Sequence, residues 1–338
     1  MENLSLSQLE LELIELLQAQ GLPVEEIRLV GLLGKGNRAI VFSVMIDGVY
    51  HVLKVYGSSE LMHAELRNLR KVIPKQRFFF SWQEGLGRSK LNIVILEVPE
   101  GSELNSSLIN QTTADRLADR LAELHVIRYR QRVSLTGLRE QLERYSQPFL
   151  AHIKLMGRDA ATYEAILERL RQLLTADEQL FRTRKVRIHG DLWWPNIIVA
   201  REDVYLIDWE SMRRGDAAED LAKLRIFVYG PRTFSGPSFF WKSSDDRLKL
   251  SSLIKTIVER HNQQVGDDRL TKRLAFYLPF FCIQELWSLY IHGQTERAMN
   301  PIIADDLLGL VADPFAPPPD LTQYGYFEEL ERERYEAG

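Results

Sequence analysis

"RIHGDLWWPNIIVA", residues Arg187–Ala200, with the "REDVYLID" that carries the chain on to Asp208, decides how the fold is read. Arg187 to His189 should be extended; Gly190 and Pro195 interrupt both regular patterns, so "GDLWWPN" is loop; "IIVA" is extended again. The chain then turns and returns as a partner strand ending at Asp208, which brings the loop holding Asp191 and Asn196 beside that residue. One carboxylate to orient or deprotonate a hydroxyl, with hard oxygen ligands for a cation that keeps several waters, is what magnesium-assisted phosphoryl transfer requires. Asp191 therefore reads as the base, and Asn196 and Asp208 as metal ligands. The alternative is a polar hairpin whose Asp and Asn only cap turns. His-x-Asp alone fits either reading; Asn196 at its spacing and Asp208 after the next strand favour the catalytic loop.

Upstream, residues 27 to 56 alternate β-branched and aromatic runs, broken by "GKGN" and by Asp47-Gly48, a strong hairpin signal. Three antiparallel strands follow, 27–33, 40–46 and 49–55. Gly34 and Gly36, with Asn37, form a loop whose amides can approach phosphate oxygens unobstructed, although taken alone it reads better as a structural tight turn. It is not a Walker loop, because no Gly-Lys-Ser/Thr ends it and a strand follows. Lys54 sits mid-strand in "HVLKVY", where an unpaired charge is costly to bury. It either snorkels to solvent from an edge strand or meets Glu65 in the next helix, with Glu60 the fallback partner. That helix starts at Ser58 or Ser59 and stops before Pro74; "RFFFSW" and "LNIVILEV" add two strands around the turn-rich "EGLGRSK". Ahead of the sheet, Leu6, Leu9, Leu13, Leu16 and Leu17 mark an amphipathic opening helix. "PEGSELN" reads as a hinge, and beyond it "TTADRLADRLAELHVI" and "ATYEAILERLRQLL" have helical spacing. The remainder is expected to be mostly helical to about residue 312, apart from the one hairpin.

Composition excludes several classes. A 45% apolar and 27% charged chain of 338 residues suits one large or two modest globular domains. The net charge of -4, with Lys and Arg scattered along the chain, gives no nucleic-acid signature. The single cysteine, Cys282, lies in the apolar run "FYLPFFCIQELW" as a small core residue and can form no internal disulfide. No basic leader and no stretch of eighteen uncharged apolar residues is present, so a cytoplasmic protein without membrane partner is expected.

"HGDLWWPN" followed by "LIDWESMRRGDAAEDLAKL" closely resembles the aminoglycoside phosphotransferase and choline kinase family, small-molecule kinases with a protein-kinase-like fold. The resemblance extends more loosely to the opening helix, the glycine loop, Lys54, Glu65, "ILEVPEG" and "LADRLAELH", over most of residues 5–225. It implies an α+β, protein-kinase-like bilobal fold: a small antiparallel-sheet N-lobe at 1–98 and a larger, mainly helical C-lobe at 99–338. It implies ATP, or GTP as the alternative, with Mg2+, and a small-molecule hydroxyl acceptor: an aminoglycoside-like antibiotic, an amino alcohol or a sugar. Residue by residue, it places Asp191 as base, Asn196 and Asp208 on magnesium, Lys54 on nucleotide phosphate, and backbone groups at Glu97 and Val98 on the purine. His189 braces the loop, and Asp216 and Asp220 are scaffolding at a helix start. Gly190 stands where protein kinases have arginine before the base, and Leu192 and Trp193 follow where they place a lysine two residues beyond it. Glu210 replaces the glycine of their metal motif. These departures favour small-molecule kinases over protein kinases; a kinase acting on a protein or a lipid-linked sugar is the alternative, distinguished by whether the cleft accepts a chain or only a compact solute. A nucleotide-binding pseudokinase scaffold would require a missing base or ligand, and none is missing. The aromatic "FVYGPRTFSGPSFFW" (227–241) is either a lid over the acceptor or a buried connection, the second being the commoner use of aromatics.

Overall fold

The computed structural model describes residues 25–35, 39–72, 78–82, 85–86, 89–90, 92–97, 101–104, 107–155, 160–229 and 244–291, and residues 11, 13–15 and 18 of the opening segment. The chain divides into two compact units, one formed by 1–100 with 208–211, the other by 101–207 with 212–338. The return of Asp208–Ser211 to the first unit was not foreseen from sequence.

In the first unit, β1 (Ile27–Lys35), β2 (Ala39–Ile46) and β3 (Val49–Tyr56) form an antiparallel meander. The expected strands are present, each within two residues of its read ends. The β2–β3 turn has Asp47 at φ 46° and Gly48 at φ 80°, the left-handed pair whose twist matches the flanking strands. Helix α1 (Ser59–Val72) buries Met62, Leu66 and Leu69, one stripe at helical spacing. Strand β4 (Phe78–Trp82), a two-residue ribbon of β5 (Gly85–Leu86) and β6 (Ser89–Lys90), and β7 (Asn92–Glu97) follow, giving a five-stranded sheet in the order β1-β2-β3-β7-β4. Strand β3 is thus interior, flanked by β2 and β7, and the edge-strand reading of Lys54 falls. Leu13, helical like the other described residues of the opening segment, packs with Ile27, Val44, Leu53, Val55, Ile93 and Ile95.

The second unit is built around helices. After the short strand β8 (Ser102–Glu103), α2 (Gln111–His125) begins at Asn110, whose side-chain oxygen accepts from Thr113 N at 3.1 Å. Strand β9 (Arg128–Arg132), α3 (Leu135–Leu155), α4 (Ala161–Ala176) and the single turn α5 (Glu178–Phe181) lead to β10 (Arg184–Ile188). Then come β11 (Ile197–Val199), β12 (Val204–Leu206), β13 (Arg213–Gly215), α6 (Ala217–Tyr229), α7 (Ser244–Val265) and α8 (Leu270–Ile291). Helix α2 packs on α7, and α6 on α8. Cys282, on α8, is buried.

The expectation of a single hairpin among helices was too low. That hairpin, β11–β12, gains β8 as a third strand, and a second sheet runs β13-β10-β9. "RYRQR" and "RRG" carry no apolar alternation, so their pairing with β10 left no trace in the sequence pattern. The aromatic segment from residue 230 lies outside the described residues.

Candidate active site

In the first unit the interior position of β3 forces Lys54 to find partners. Its ammonium, 7% exposed as a residue, donates to Glu65 Oε1 at 2.9 Å and to Asp208 Oδ1 at 2.8 Å. Burial works to depress the lysine pKa, but the two carboxylates outweigh it and raise it above its ordinary value. Glu65 bears the other side of that sharing: fully buried, with Oε2 lacking a hydrogen-bond partner and Asp208 close by, its pKa is pushed up to about 7 despite Lys54. Asp208 adopts φ 64°, a left-handed conformation that Asp tolerates better than most residues. The turn it opens, Trp209–Ser211, is anchored by buried Trp209 and by Asn68 of α1, whose side-chain amide donates to Trp209 O at 2.9 Å. Oxygens of Glu65, Asp208 and Glu210 lie within 4.8 Å of one another. This all-oxygen, anionic donor set suits a hard cation such as magnesium and would not suit a thiophilic one.

The second unit holds the loop expected from sequence to be catalytic, residues 190–196. Gly190 takes φ 83°, and the Asn196 side-chain amide donates to Asp191 O at 2.8 Å, closing the loop on itself. Nε2 of His189 lies 2.8 Å from Ile207 O and must donate there, so Nδ1 is left to accept from Asp191 N at 3.3 Å. Both ring nitrogens are spoken for by backbone, which makes His189 a brace.

Asp220, on α6, holds the same loop from behind. Its carboxylate accepts from His189 N at 2.7 Å and Gly190 N at 2.8 Å, and His125 Nε2 stands 3.1 Å from it. The carboxylate can only accept, so His125 donates from Nε2 and receives at Nδ1 from His261 Nε2, 2.8 Å away. All three side chains are buried. Burial would raise the Asp220 pKa, but His125, His189 and the Gly190 amide prevail and lower it. His261 is driven down to about 3, by burial first and by His125 second. Of the two aspartates expected at the helix start, it is Asp216 that caps it, accepting from Ala218 N at 3.1 Å while Glu219 Oε1 accepts from Asp216 N at 2.8 Å, a capping box.

Lys223, one turn beyond Asp220, places its ammonium 3.3 Å from Asp191 Oδ1 and 5.8 Å from the centre of the Phe281 ring. Sequence reading missed it, as it missed Asn68 and His125. Its only trace is the "EDLAKL" register, which sets Lys223 three residues after Asp220 on one helix face. The structure thus brings together Lys54, Glu65 and Asp208 in one unit, and Asp191 with Asn196 in the other. Gly34 lies in β1, paired with Val41, and Glu97 ends β7 opposite His51. Gly36, Asn37 and Val98 lie outside the described residues.

The profile of a phosphotransferase enzyme family matches residues 56–236, more than half of the chain. The chain belongs to that family. No curated protein sequence matches it. Among solved structures, it is similar to a thermostable mutant of aminoglycoside phosphotransferase APH(4)-Ia in ternary complex with AMP-PNP and hygromycin B. The TM-score is 0.56 at 14% identity, over 88% of this chain and 97% of that one. It is similar also to choline kinase LicA from Streptococcus pneumoniae, with TM-score 0.55 at 18% identity, over 89% and 98%. A third is the Plasmodium vivax ethanolamine kinase, with TM-score 0.54 at 14% identity, over 86% and 83%. At such identities the likeness is one of fold, and this phosphotransferase has the α+β, protein-kinase-like fold expected from its sequence. Among the described residues, no helix is long and apolar enough to cross a membrane.

Proposed function

We propose that this phosphotransferase is an ATP-dependent kinase that moves the γ-phosphoryl group to a hydroxyl of a small molecule. The observation that carries the reading is the buried Lys54 ammonium shared between Glu65 and Asp208. A fold built only for stability gains little from one buried cation between two carboxylates, since desolvation offsets much of the attraction. A site that must hold nucleotide phosphates has use for it. In this reading Lys54 takes the α- and β-phosphates, Glu65 holds Lys54 in place, and the backbone of Glu97 and Val98 meets the purine, with the Gly34–Asn37 loop over the phosphates.

Asp208 and Asn196 would hold magnesium, with Glu210 as a further oxygen donor beside Asp208. When bound, the ion supplies charge neutralisation at the phosphate oxygens. Asp191 orients the acceptor hydroxyl and takes its proton as the bond to phosphorus forms. The Lys223 ammonium beside Asp191 stands in for the lysine that protein kinases place two residues after the base, offering a cation to the transferring phosphoryl group. Solved relatives are named for aminoglycoside, choline and ethanolamine substrates, which supports a compact hydroxylated acceptor.

The test is ADP release from ATP and magnesium against aminoglycosides, choline, ethanolamine, homoserine and simple sugars. Turnover that needs one acceptor and vanishes in Asp191→Asn, with nucleotide affinity kept, supports the proposal. Silence across the panel from protein that still binds nucleotide would sink the small-molecule reading.

A further inference from the structure

The second sheet of the larger unit is built from RYRQR, RKVRI and RRG, strands without an acidic residue. Beside β9 and β10 lies a cavity of about 310 Å³, a volume at the small end of ligand sites. Arg128, Arg132, Arg182 and Arg184 line it, with His125 and Asp267. Arg132 and Arg184 are direct partners in the antiparallel register, an opposition of like charges that destabilises a sheet unless something offsets it.

Among the described residues little does. Arg128 donates to Val265 O at 2.8 Å and Arg132 to Arg182 O at 3.1 Å, neutral acceptors that aim the guanidinium groups without cancelling their charge. Only Arg182 of the four has a carboxylate partner among the described residues, the exposed Glu178 at 3.2 Å. The carboxylate of Asp267 also faces the cavity, but two Arg273 nitrogens, at 2.6 and 3.3 Å, and the Arg269 amide engage it. Guanidinium forks converging on a small concave space match the oxygens of a phosphate group, which they bind bidentately.

We propose that this cavity is a binding site for a small multivalent oxyanion, a phosphate or pyrophosphate group, separate from the residues assigned to nucleotide and acceptor. His125 forms its inner wall and hydrogen-bonds Asp220, which in turn holds the amides of His189 and Gly190. An occupant therefore lies one imidazole ring away from the carboxylate that holds the catalytic loop.

Calorimetric titration of the full chain with pyrophosphate, with a non-hydrolysable ATP analogue saturating the nucleotide site, tests the proposal. One site is expected to remain, to weaken several-fold as salt rises, and to lose at least tenfold in affinity in Arg132→Ser/Arg184→Ser while Arg132→Lys/Arg184→Lys keeps most of it. Without anion, the serine variant should melt at the same or a higher temperature, because the opposed charges are gone. A pyrophosphate isotherm abolished by the ATP analogue, unchanged in the serine variant, or never seen would overturn the proposal, as would a serine variant that melts lower. Inorganic phosphate and a sugar bisphosphate run in parallel separate the sources of the anion: either one binding with the same arginine dependence supports the site, and the tighter names its occupant.

Discussion

Asp208 and Lys223 show how one residue is placed by forces outside its neighbourhood. Asp208 follows a strand in a left-handed conformation, so its replacement should respect the backbone as well as the charge. Asp208→Asn keeps a side chain that tolerates this region, and it should lower turnover and weaken the magnesium dependence of nucleotide binding; Asp208→Ala adds backbone strain and should also lower the melting temperature. Lys223→Met should reduce kcat by roughly 100-fold while leaving nucleotide affinity unchanged, as measured by steady-state kinetics beside nucleotide titration. A parallel loss of both would mean that Lys223 only supports the fold. The Lys54–Glu65 pair was legible because an apolar strand with one lysine demands a partner and the next helix holds an obvious one. Lys223 was not, because it meets Asp191 across 32 residues of sequence and its helical register after Asp220 does not point to that partner.

Among the elements, α2, α6 and α7 each contribute one member of the buried His125–Asp220–His261 chain. His261 is held neutral, with its pKa moved from 6.5 to about 3. The unfolded chain therefore takes up a proton that the folded one refuses, and the stability present above about 6.5 is lost as pH falls toward 3. Glu65 works the other way: raised from 4.5 to about 7, it removes stability as pH rises through that window. The two nearly oppose each other in wild type, so the informative measurement is a difference. Going from pH 7.5 to pH 5, His261→Gln should rise in urea midpoint relative to wild type, because the Glu65 gain is no longer offset; identical profiles would rule out a neutral buried His261. The meander and α1 could be read from alternation, a hairpin turn and caps, since each signal is local. Strands β9 and β13 could not, because they are short, charged and held by pairing to β10 rather than by any apolar face of their own. For the same reason Asp220 looked like helix-start scaffolding beside Asp216: a carboxylate near a helix start usually is, and only the fold shows that Asp220 instead holds the amides of His189 and Gly190.

At the level of the whole molecule, the chain passes between its two units at 100–101, 207–208 and 211–212. The residue proposed as base, Asp191, and the residue proposed to hold nucleotide phosphate, Lys54, thus belong to separately packed parts of the chain, while Ile207, whose carbonyl steadies His189, is peptide-bonded to Asp208. A single step of backbone ties the catalytic loop's brace to the aspartate beside Lys54. Composition gave the size, the globular class and the absence of an overall basic signal, all of which are sums over residues. It gave no hint of how charge is distributed, because folding gathers arginines from three distant segments onto one small sheet. A chain with net charge -4 would ordinarily pass straight through a cation-exchange column at neutral pH. This one should be held back on phosphocellulose at low ionic strength and released by modest salt, and the Arg132→Ser/Arg184→Ser variant should emerge with the flow-through: a resin, unlike a titration curve, reads only the face that is turned toward it.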